Sequence, residues 1–244
     1  MAHCVITGGS RGIGKATALA LAAGGWSLTI NYHNNTAAAE AVCAAALDAG
    51  APQVRLAAAD ISDPEQAATM IKEAEKAQGP ISGLVCNAGI IRTQFTALTS
   101  PDDWRKIHAT NLDGSFYVTK AVIRGMVRQR AGRIVYISSD AALLGDLMRA
   151  AYSSSKAGLL GLMRAVSREV ASAGVTVNAI TPGIITTDMT ADIPETRRQK
   201  QLAAIPLGRF GEPGEVAAAV SFLMSDAASF ITGQTLSVNG GLYM

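Results

Sequence analysis

Seven short apolar runs recur along this chain, nearly all separated by a stretch of helical pattern, and that alternation leaves few folds open. The runs are CVIT, SLTINY, QVRLAAA, GLVC, GRIVYIS, VTVNAI and TLSV, with helical patterns at 12–24, 36–49, 64–78, 101–130, 150–172 and 212–225. Several runs are continuously apolar rather than alternating, as in strands covered on both faces. The βαβα order predicts an α/β chain: one doubly wound parallel sheet of about seven strands with helices on both faces. Two helix starts are marked. Asp63-Pro64-Glu65-Gln66 supplies a capping side chain, a proline at the first helical position and a glutamine one turn on; Ser100-Pro101-Asp102-Asp103 does much the same. The rhythm breaks between Pro182 and Glu212, about thirty residues with no strand signal and three prolines, which predicts a small lid or binding loop over roughly 183–211.

Composition narrows the class further. The 244 residues show no composition shift or linker, so a single domain spanning 1–244 is expected. Net charge is +2 and the 21 basic residues are scattered, which argues against a nucleic-acid surface. Charged residues are 16% of the chain, against about 25% in ordinary soluble domains, and mean hydropathy is +0.23; surface buried between subunits is the expected reason. Cys4, Cys43 and Cys86 are odd in number and lack metal-ligand spacing, so no metal site is expected. The first residues read into a strand rather than a signal peptide, and no apolar run reaches the roughly 18 residues of a membrane span. A cytoplasmic, membrane-free protein is the expectation.

"VITGGSRGIG", residues 5–14, joins the first strand to the first helix. Gly8 and Gly12 can take turn conformations and admit a pyrophosphate, and Gly14 permits close helix–strand packing. Together with Ser10, Arg11 and Ile13 they present a helix N-terminus, with free amides and partial positive charge, to a dinucleotide. The second strand ends Thr29-Ile30-Asn31-Tyr32, where an acid would bond the ribose hydroxyls of NAD. Asn31 stands there instead, and Arg11 offers a planar fork for a 2′-phosphate. The loop therefore predicts NADPH/NADP+ in preference to NAD, unless Arg11 is only a solvated turn residue.

Tyr152 and Lys156, four apart on a predicted helix, project from one face. A phenol with a pKa of about 10 needs a shift of roughly three units, about 4 kcal/mol, to act as acid or base near neutrality. A cation 4 Å away at an effective dielectric near 20 supplies about that much. Beside a dinucleotide loop, the pair reads as catalytic rather than as a tyrosine stacked on a lysine stem.

Gly8-x-x-x-Gly12-x-Gly14, Asn87-Ala88-Gly89 after the fourth strand, Asn111 in ATNLDG, Ser139 in YISSD, Tyr152-x-x-x-Lys156 and Pro182-Gly183 after the sixth strand together resemble the short-chain dehydrogenase/reductase family. The likeness covers the whole chain and implies a Rossmann-type fold. It implies that Tyr152 gives a proton to a carbonyl oxygen, that Ser139 bonds that oxygen, and that Lys156 tunes Tyr152 and holds the nicotinamide ribose. Asn111 would position a water in the proton supply. Ser138 is the lesser candidate for the serine. Further cofactor contacts implied are Asp60 and Ile61 at the adenine, Asn87, Ala88 and Gly89 along the adenosine ribose, and Pro182, Gly183, Ile185 and Thr187 toward the carboxamide. One departure is Cys86, where the family often has a first asparagine; it reads as a buried strand residue.

Within the family, IPLGRFGEPGEVA (205–217) and ITGQTLSVNGGLYM (231–244) are most similar to members that reduce 3-oxoacyl groups on acyl carrier protein, although both stretches recur in members acting on other small ketones and alcohols. The resemblance implies NADPH-dependent reduction of a 3-oxoacyl thioester. A reductase of another small ketone, or a dinucleotide sensor without turnover, remains open. The family's habit of pairing through the helix around Tyr152, here carrying Gly158 and Gly161, implies a homotetramer. Arg124, Arg128, Arg130 and Arg133 form a basic group for an acidic carrier, or merely complement a helix C-terminus. Ala173 departs from carrier-linked relatives at a position often basic, with Arg168 about a turn earlier.

Overall fold

A computed structural model describes residues 2–190 and 194–244. The apolar runs form β1 (His3–Ile6), β2 (Ser27–Tyr32), β3 (Val54–Ala58), β4 (Gly83–Cys86), β5 (Gly132–Ile137), β6 (Val175–Pro182) and β7 (Thr235–Val238). They make one sheet in the order β3-β2-β1-β4-β5-β6-β7, with every neighbouring pair parallel. Around it lie α1 (Gly12–Ala23), α2 (Thr36–Asp48), α3 (Pro64–Gln78), α4 (Pro101–His108), α5 (Gly114–Gln129), α6 (Ala141–Leu144), α7 (Ala150–Val170), α8 (Glu195–Ala204) and α9 (Pro213–Met224).

The continuous apolar runs have a direct cause. Successive strand side chains enter opposite layers, and both layers are dry. Val5, Leu84, Cys86, Ile134, Tyr136 and Val177 pack under α3, α5 and α7, against Met70, Val118, Val122, Leu159 and Met163. Cys4, Ile6, Val85, Val135, Ile137 and Ile180 pack on the other side under α1, α2 and α9, against Leu21, Val42, Val216 and Leu223. At about 1.5–3 kcal/mol per buried aliphatic side chain, these two layers dominate the driving force. The capping signals act as read: Asp63 accepts from the amides of Glu65 and Gln66 at 2.8 and 3.1 Å, and Ser100 accepts from Asp103 at 3.1 Å.

Chain direction reverses its path across the sheet between β1 and β4, which opens a crevice at their C-terminal ends. Three departures from the sequence reading bear on that edge. The predicted 101–130 helix is interrupted by a five-residue π-helical segment, Ala109–Asp113, that turns Asn111 inward. The helix predicted over 150–172 is α7 followed by a 3₁₀ turn at Ala171–Ala173, and the short α6 precedes it. In the predicted lid, a 3₁₀ turn (Asp188–Thr190) and α8 stand out from the sheet; no α8 residue is buried, and residues 191–193 lie outside the described residues. The lid is rooted by buried Ile205 and Phe210, by Leu207 donating to the Gly240 carbonyl at 3.1 Å, and by an Ile185–Gly211 bridge.

Candidate active site

The glycine loop leaves β1 through Thr7, which sequence reasoning passed over. Its hydroxyl accepts from the amides of Asn87 and Ala88 at 3.0 and 3.1 Å, tying the ends of β1 and β4 together across the crevice. Gly8 has φ +61, and a Cβ there would lie 2.8 Å from Ala88 Cα, so only glycine fits. At Gly14 a Cβ would collide with the Gly8 carbonyl and stand 2.6 Å from Asn87 Nδ2. Gly9, also unflagged, has Ile30 2.7 Å from where its Cβ would be; the doubled glycine was the available signal.

Arg11 occupies the N-cap of α1 in extended conformation without a side-chain cap, and no acceptor among the described residues receives the amides of Gly12, Ile13 and Gly14. Three unsatisfied amides at the positive end of a 12-residue helix, in a loop where Gly8, Gly9, Gly12 and Gly14 carry no side chain, fit the pyrophosphate of a dinucleotide. Arg11 is exposed and Ser10 half-buried beside it.

Asn31 is buried and fully engaged. Its Oδ1 accepts from the Gly8 amide at 3.3 Å and its Nδ2 donates to the carbonyls of Ala57 and Ala59 at 3.1 and 3.0 Å, so it braces the ends of β2 and β3 against the loop. Asn87 Nδ2 similarly donates to the Thr7 and Gly8 carbonyls at 3.0 and 2.9 Å. Asp60 accepts from Ser62 N and Oγ at 2.9 and 2.7 Å, and Ile61 is buried against Gly114, where a Cβ would come within 2.8 Å of it. On the far side, Pro182 ends β6, Gly183 packs on Asn239, Ile185 is buried, and Thr187 faces Gly12 with its methyl 3.4 Å from the Cβ position there.

Ser139, Tyr152, Lys156 and Asn111 converge at the C-terminal ends of β4 and β5. The two serines divide plainly. Ser138 is buried and gives its hydroxyl to the Lys156 carbonyl at 2.8 Å, fastening α7 to β5, whereas half-buried Ser139 stands close enough to the Tyr152 phenol to pull its pKa down. Burial has the larger effect and raises Tyr152 above the ordinary tyrosine value; Arg149 opposes it and Asp146 adds to it. Lys156 is buried, its Nζ donating to the Ile137 carbonyl at 2.8 Å and lying 5.8 Å from the Tyr152 ring centroid; burial brings its pKa down to about 8. Asn111 accepts from Ile90 N at 2.8 Å and donates to Ile90 O and Ser155 Oγ, both at 3.0 Å. Ser155, missed in the sequence, in turn donates to the Tyr152 carbonyl at 2.7 Å. Between these groups Gly89 keeps the space open: a Cβ there would be 3.3 Å from Lys156 Nζ and 3.4 Å from Asn111 Oδ1. Cys86 is buried beneath, and burial pushes its thiol up to about 12, which leaves it inert. Among the described residues there is no cluster of three or more metal-ligating side chains and no helix long and apolar enough to cross a membrane.

A glycine-rich loop at a parallel-sheet crevice, facing a Ser-Tyr-Lys group, defines the class of Rossmann-type oxidoreductases. Residues 8–243 match the family described as enoyl-(acyl carrier protein) reductase. Similar proteins include 3-oxoacyl-[acyl-carrier-protein] reductases of Synechocystis (43% identical over 241 residues, 98% of this chain and 96% of the relative), Vibrio cholerae (41% over 240 residues, 98% and 96%) and Staphylococcus aureus (40% over 240 residues, 98% and 97%). The chain belongs to the short-chain dehydrogenase/reductase family and is an oxidoreductase with a nicotinamide dinucleotide as cofactor.

Proposed function

We propose that the chain reduces a 3-oxoacyl thioester, presented on acyl carrier protein, to the 3-hydroxy form, with NADPH as reductant. The observation that carries the reading is the convergence of Ser139, Tyr152, Lys156 and Asn111 around the space at Gly89, with the Ser139 hydroxyl beside a tyrosine phenol, a group protonated at neutral pH and so able to donate to a carbonyl oxygen. When bound, NADPH supplies the hydride. Gly8, Ser10, Arg11, Gly12, Ile13 and Gly14 hold its phosphates, with Arg11 on the 2′-phosphate. Asp60, Ile61, Asn87, Ala88 and Gly89 line its adenosine half, and Pro182, Gly183, Ile185 and Thr187 its other end. Asn31 acts from beneath, by shaping the loop.

Tyr152 gives its proton to the substrate oxygen, and Ser139 bonds the same oxygen and steadies the charge growing there. Lys156 holds the ribose and takes part in returning the proton, through the space that Gly89 leaves between it and Asn111. The full-length relatives named for 3-oxoacyl substrates support the choice of substrate.

Of the basic group read from the sequence, Arg130 bonds the Ser172 carbonyl at 3.2 Å and Arg133 pairs with Asp226 at 3.3 Å, leaving Arg124 and Arg128 as exposed cations. They lie near the C-terminal end of α5, at the edge of the sheet opposite Tyr152, about 20 Å away along a six-residue strand. A carrier held there serves the site of a second copy, paired with α5 and α7 antiparallel. The test offers purified protein NADPH or NADH with a 3-oxoacyl and a 2-enoyl carrier thioester, following the reduced-nicotinamide absorbance. Oxidation with NADPH and the 3-oxo substrate is expected. Turnover of the enoyl thioester alone, or of neither, overturns the reading.

A further inference from the structure

Asp140 is the one residue beside the catalytic serine that the chemistry above leaves unused. It is 4% exposed, and neither carboxylate oxygen has a hydrogen-bond partner among the described residues. An aspartate at the N-cap of a helix ordinarily turns its carboxylate onto the helix amides. Here the neighbouring Ser139 hydroxyl accepts from Ala141 N at 3.2 Å instead, and α6 has no side-chain bond from Asp140. A buried, unpaired carboxylate is costly enough that the group protonates or something moves to meet it.

The surroundings show what can move. Asp140 N donates to the Pro182 carbonyl at 3.0 Å, Gly183 N donates to the Val238 carbonyl at 3.0 Å, and a Cβ on Gly183 would lie 2.9 Å from Asn239. The Asn239 amide faces the carboxyl without making a hydrogen bond to it; one of its two hydrogens goes to the Tyr243 carbonyl at 2.9 Å and its oxygen accepts from Gly241 N at 3.0 Å, so bringing the other hydrogen onto a carboxylate means shifting the amide within the turn. Those bonds shape the Asn239–Gly240–Gly241 turn, whose glycines have φ +65 and +87 and pack within 2.8 Å of Ile205 and 2.9 Å of Pro206, measured from their Cβ positions. Gly240 O also receives the Leu207 amide. A path of direct contacts thus runs from Asp140 through Asn239 to the root of the lid.

We propose that Asp140 is a proton-operated positioning residue: as a neutral acid it lets the C-terminal turn close and hold the lid root, and as a carboxylate it draws the Asn239 amide to itself and loosens that root. Burial pushes its carboxyl up to about 6, with Asn239 pulling the other way, so the change falls near neutrality. Charged and titratable groups on the elements packed there are otherwise engaged. Lys156 bonds Ile137 O, Tyr152 faces Ser139, Arg149 pairs with Asp146 at 2.6 Å and Arg209 pairs with Glu215 at 2.6 Å; Tyr243 and the terminal Met244 are exposed. None of them contributes to the Asp140 shift.

Hydrogen exchange of segments 205–210 and 239–243, corrected for intrinsic rates between pH 5 and 8 and run on the whole protein without substrate, reads the lid root directly. In the wild type, protection should fall by a factor of about three or more as pH rises through 6. Asp140→Asn should stay at the protected level throughout, and Asp140→Leu should do the same if the asparagine variant does not fold. A pH response of wild-type size in either variant, or none in the wild type, overturns the proposal. Because no substrate enters, the result stands apart from the choice of reaction.

Discussion

Burial acts on Tyr152 and Lys156 in opposite senses: it raises the phenol and brings the ammonium down to about 8, so at neutral pH one holds its proton and the other is still mostly cationic. The 4 Å separation expected from helical spacing is not what the fold provides, since Nζ is turned onto Ile137 O and stands 5.8 Å from the phenol ring. Burial outweighs the pull of Ser139 and Arg149 on the phenol and Lys156 adds nothing to it, so the lowering of Tyr152 by Lys156 expected from the helical spacing is absent from the fold. Tyr152→Phe is expected to remove nearly all turnover while cofactor affinity, measured by fluorescence titration, stays within a few-fold. Near-wild-type turnover would take the proton-donor role away from it. Arg11 carries a separate expectation. Its side chain is exposed at the N-cap of α1 and forms no ion pair among the described residues, so Arg11→Ala should weaken NADPH about tenfold or more and NADH little, as loss of a charge-assisted phosphate bond worth roughly 1.5–3 kcal/mol implies. Equal losses for both cofactors would rule out contact with the extra phosphate.

Between α6 and α7, the 145–149 segment is held at both ends. Arg149 pairs with Asp146 and bonds Thr93 at 3.3 Å, Asp146 N bonds Ser153 Oγ at 3.2 Å, and Gln94 N donates to Met148 O at 2.6 Å. Met148 sits in the middle with φ +63, a conformation that costs a non-glycine residue about 1–2 kcal/mol and persists where its surroundings over-determine it. Met148→Gly should therefore stabilise by about 0.5–1 kcal/mol after the added entropy of the unfolded chain, raising Tm by roughly 2 °C in calorimetry. A fall of that size would show that the methionine side chain contributes more than the strain costs. Element boundaries taught a related lesson. Nothing in the 101–130 pattern marks a π segment, because its residues suit an ordinary helix; Asn111 turns inward because Ile90 and Ser155, from other elements, satisfy its amide.

Among the exposed apolar residues, two sets lie on helix and strand faces away from the site. One follows α5 and α7, with Phe116, Val127 and Gly161 exposed; the other follows α9, β7 and the end of the chain, with Phe222, Phe230 and Leu236 exposed. Gly158, which the sequence reading placed with Gly161 in a helix pairing, faces inward instead, with Leu112 2.8 Å from its Cβ position. Were each of these faces to pair with its own copy about a two-fold axis, the two axes would close a tetramer. Light scattering at micromolar concentration is expected to give about 101 kDa, four times the 25.2 kDa chain; a mass of one or two chains would remove the tetramer, and a mass of one chain would also remove delivery of carrier by a neighbouring copy.

Sheet, strand runs and glycine loop were legible because each rests on local chemistry: apolar residues on both strand faces, capping side chains such as Asp63 and Ser100, and glycines at the strand–helix turn. Ser139, Tyr152 and Lys156 stood out through spacing and resemblance, and the fold brings the three side chains together. What the sequence alone left open depended on contacts between distant segments. Thr7 and Ser155 look like any hydroxyl residues until β4 and the π segment arrive beside them. Asn31 occupies the place of a cofactor ligand along the chain but is drawn into the seam between β2 and β3. Asp140 reads as a helix cap until Ser139 takes that bond and the C-terminal turn buries its carboxylate. A buried polar group takes the partner that three-dimensional packing places within about 3 Å, whatever its neighbours in sequence.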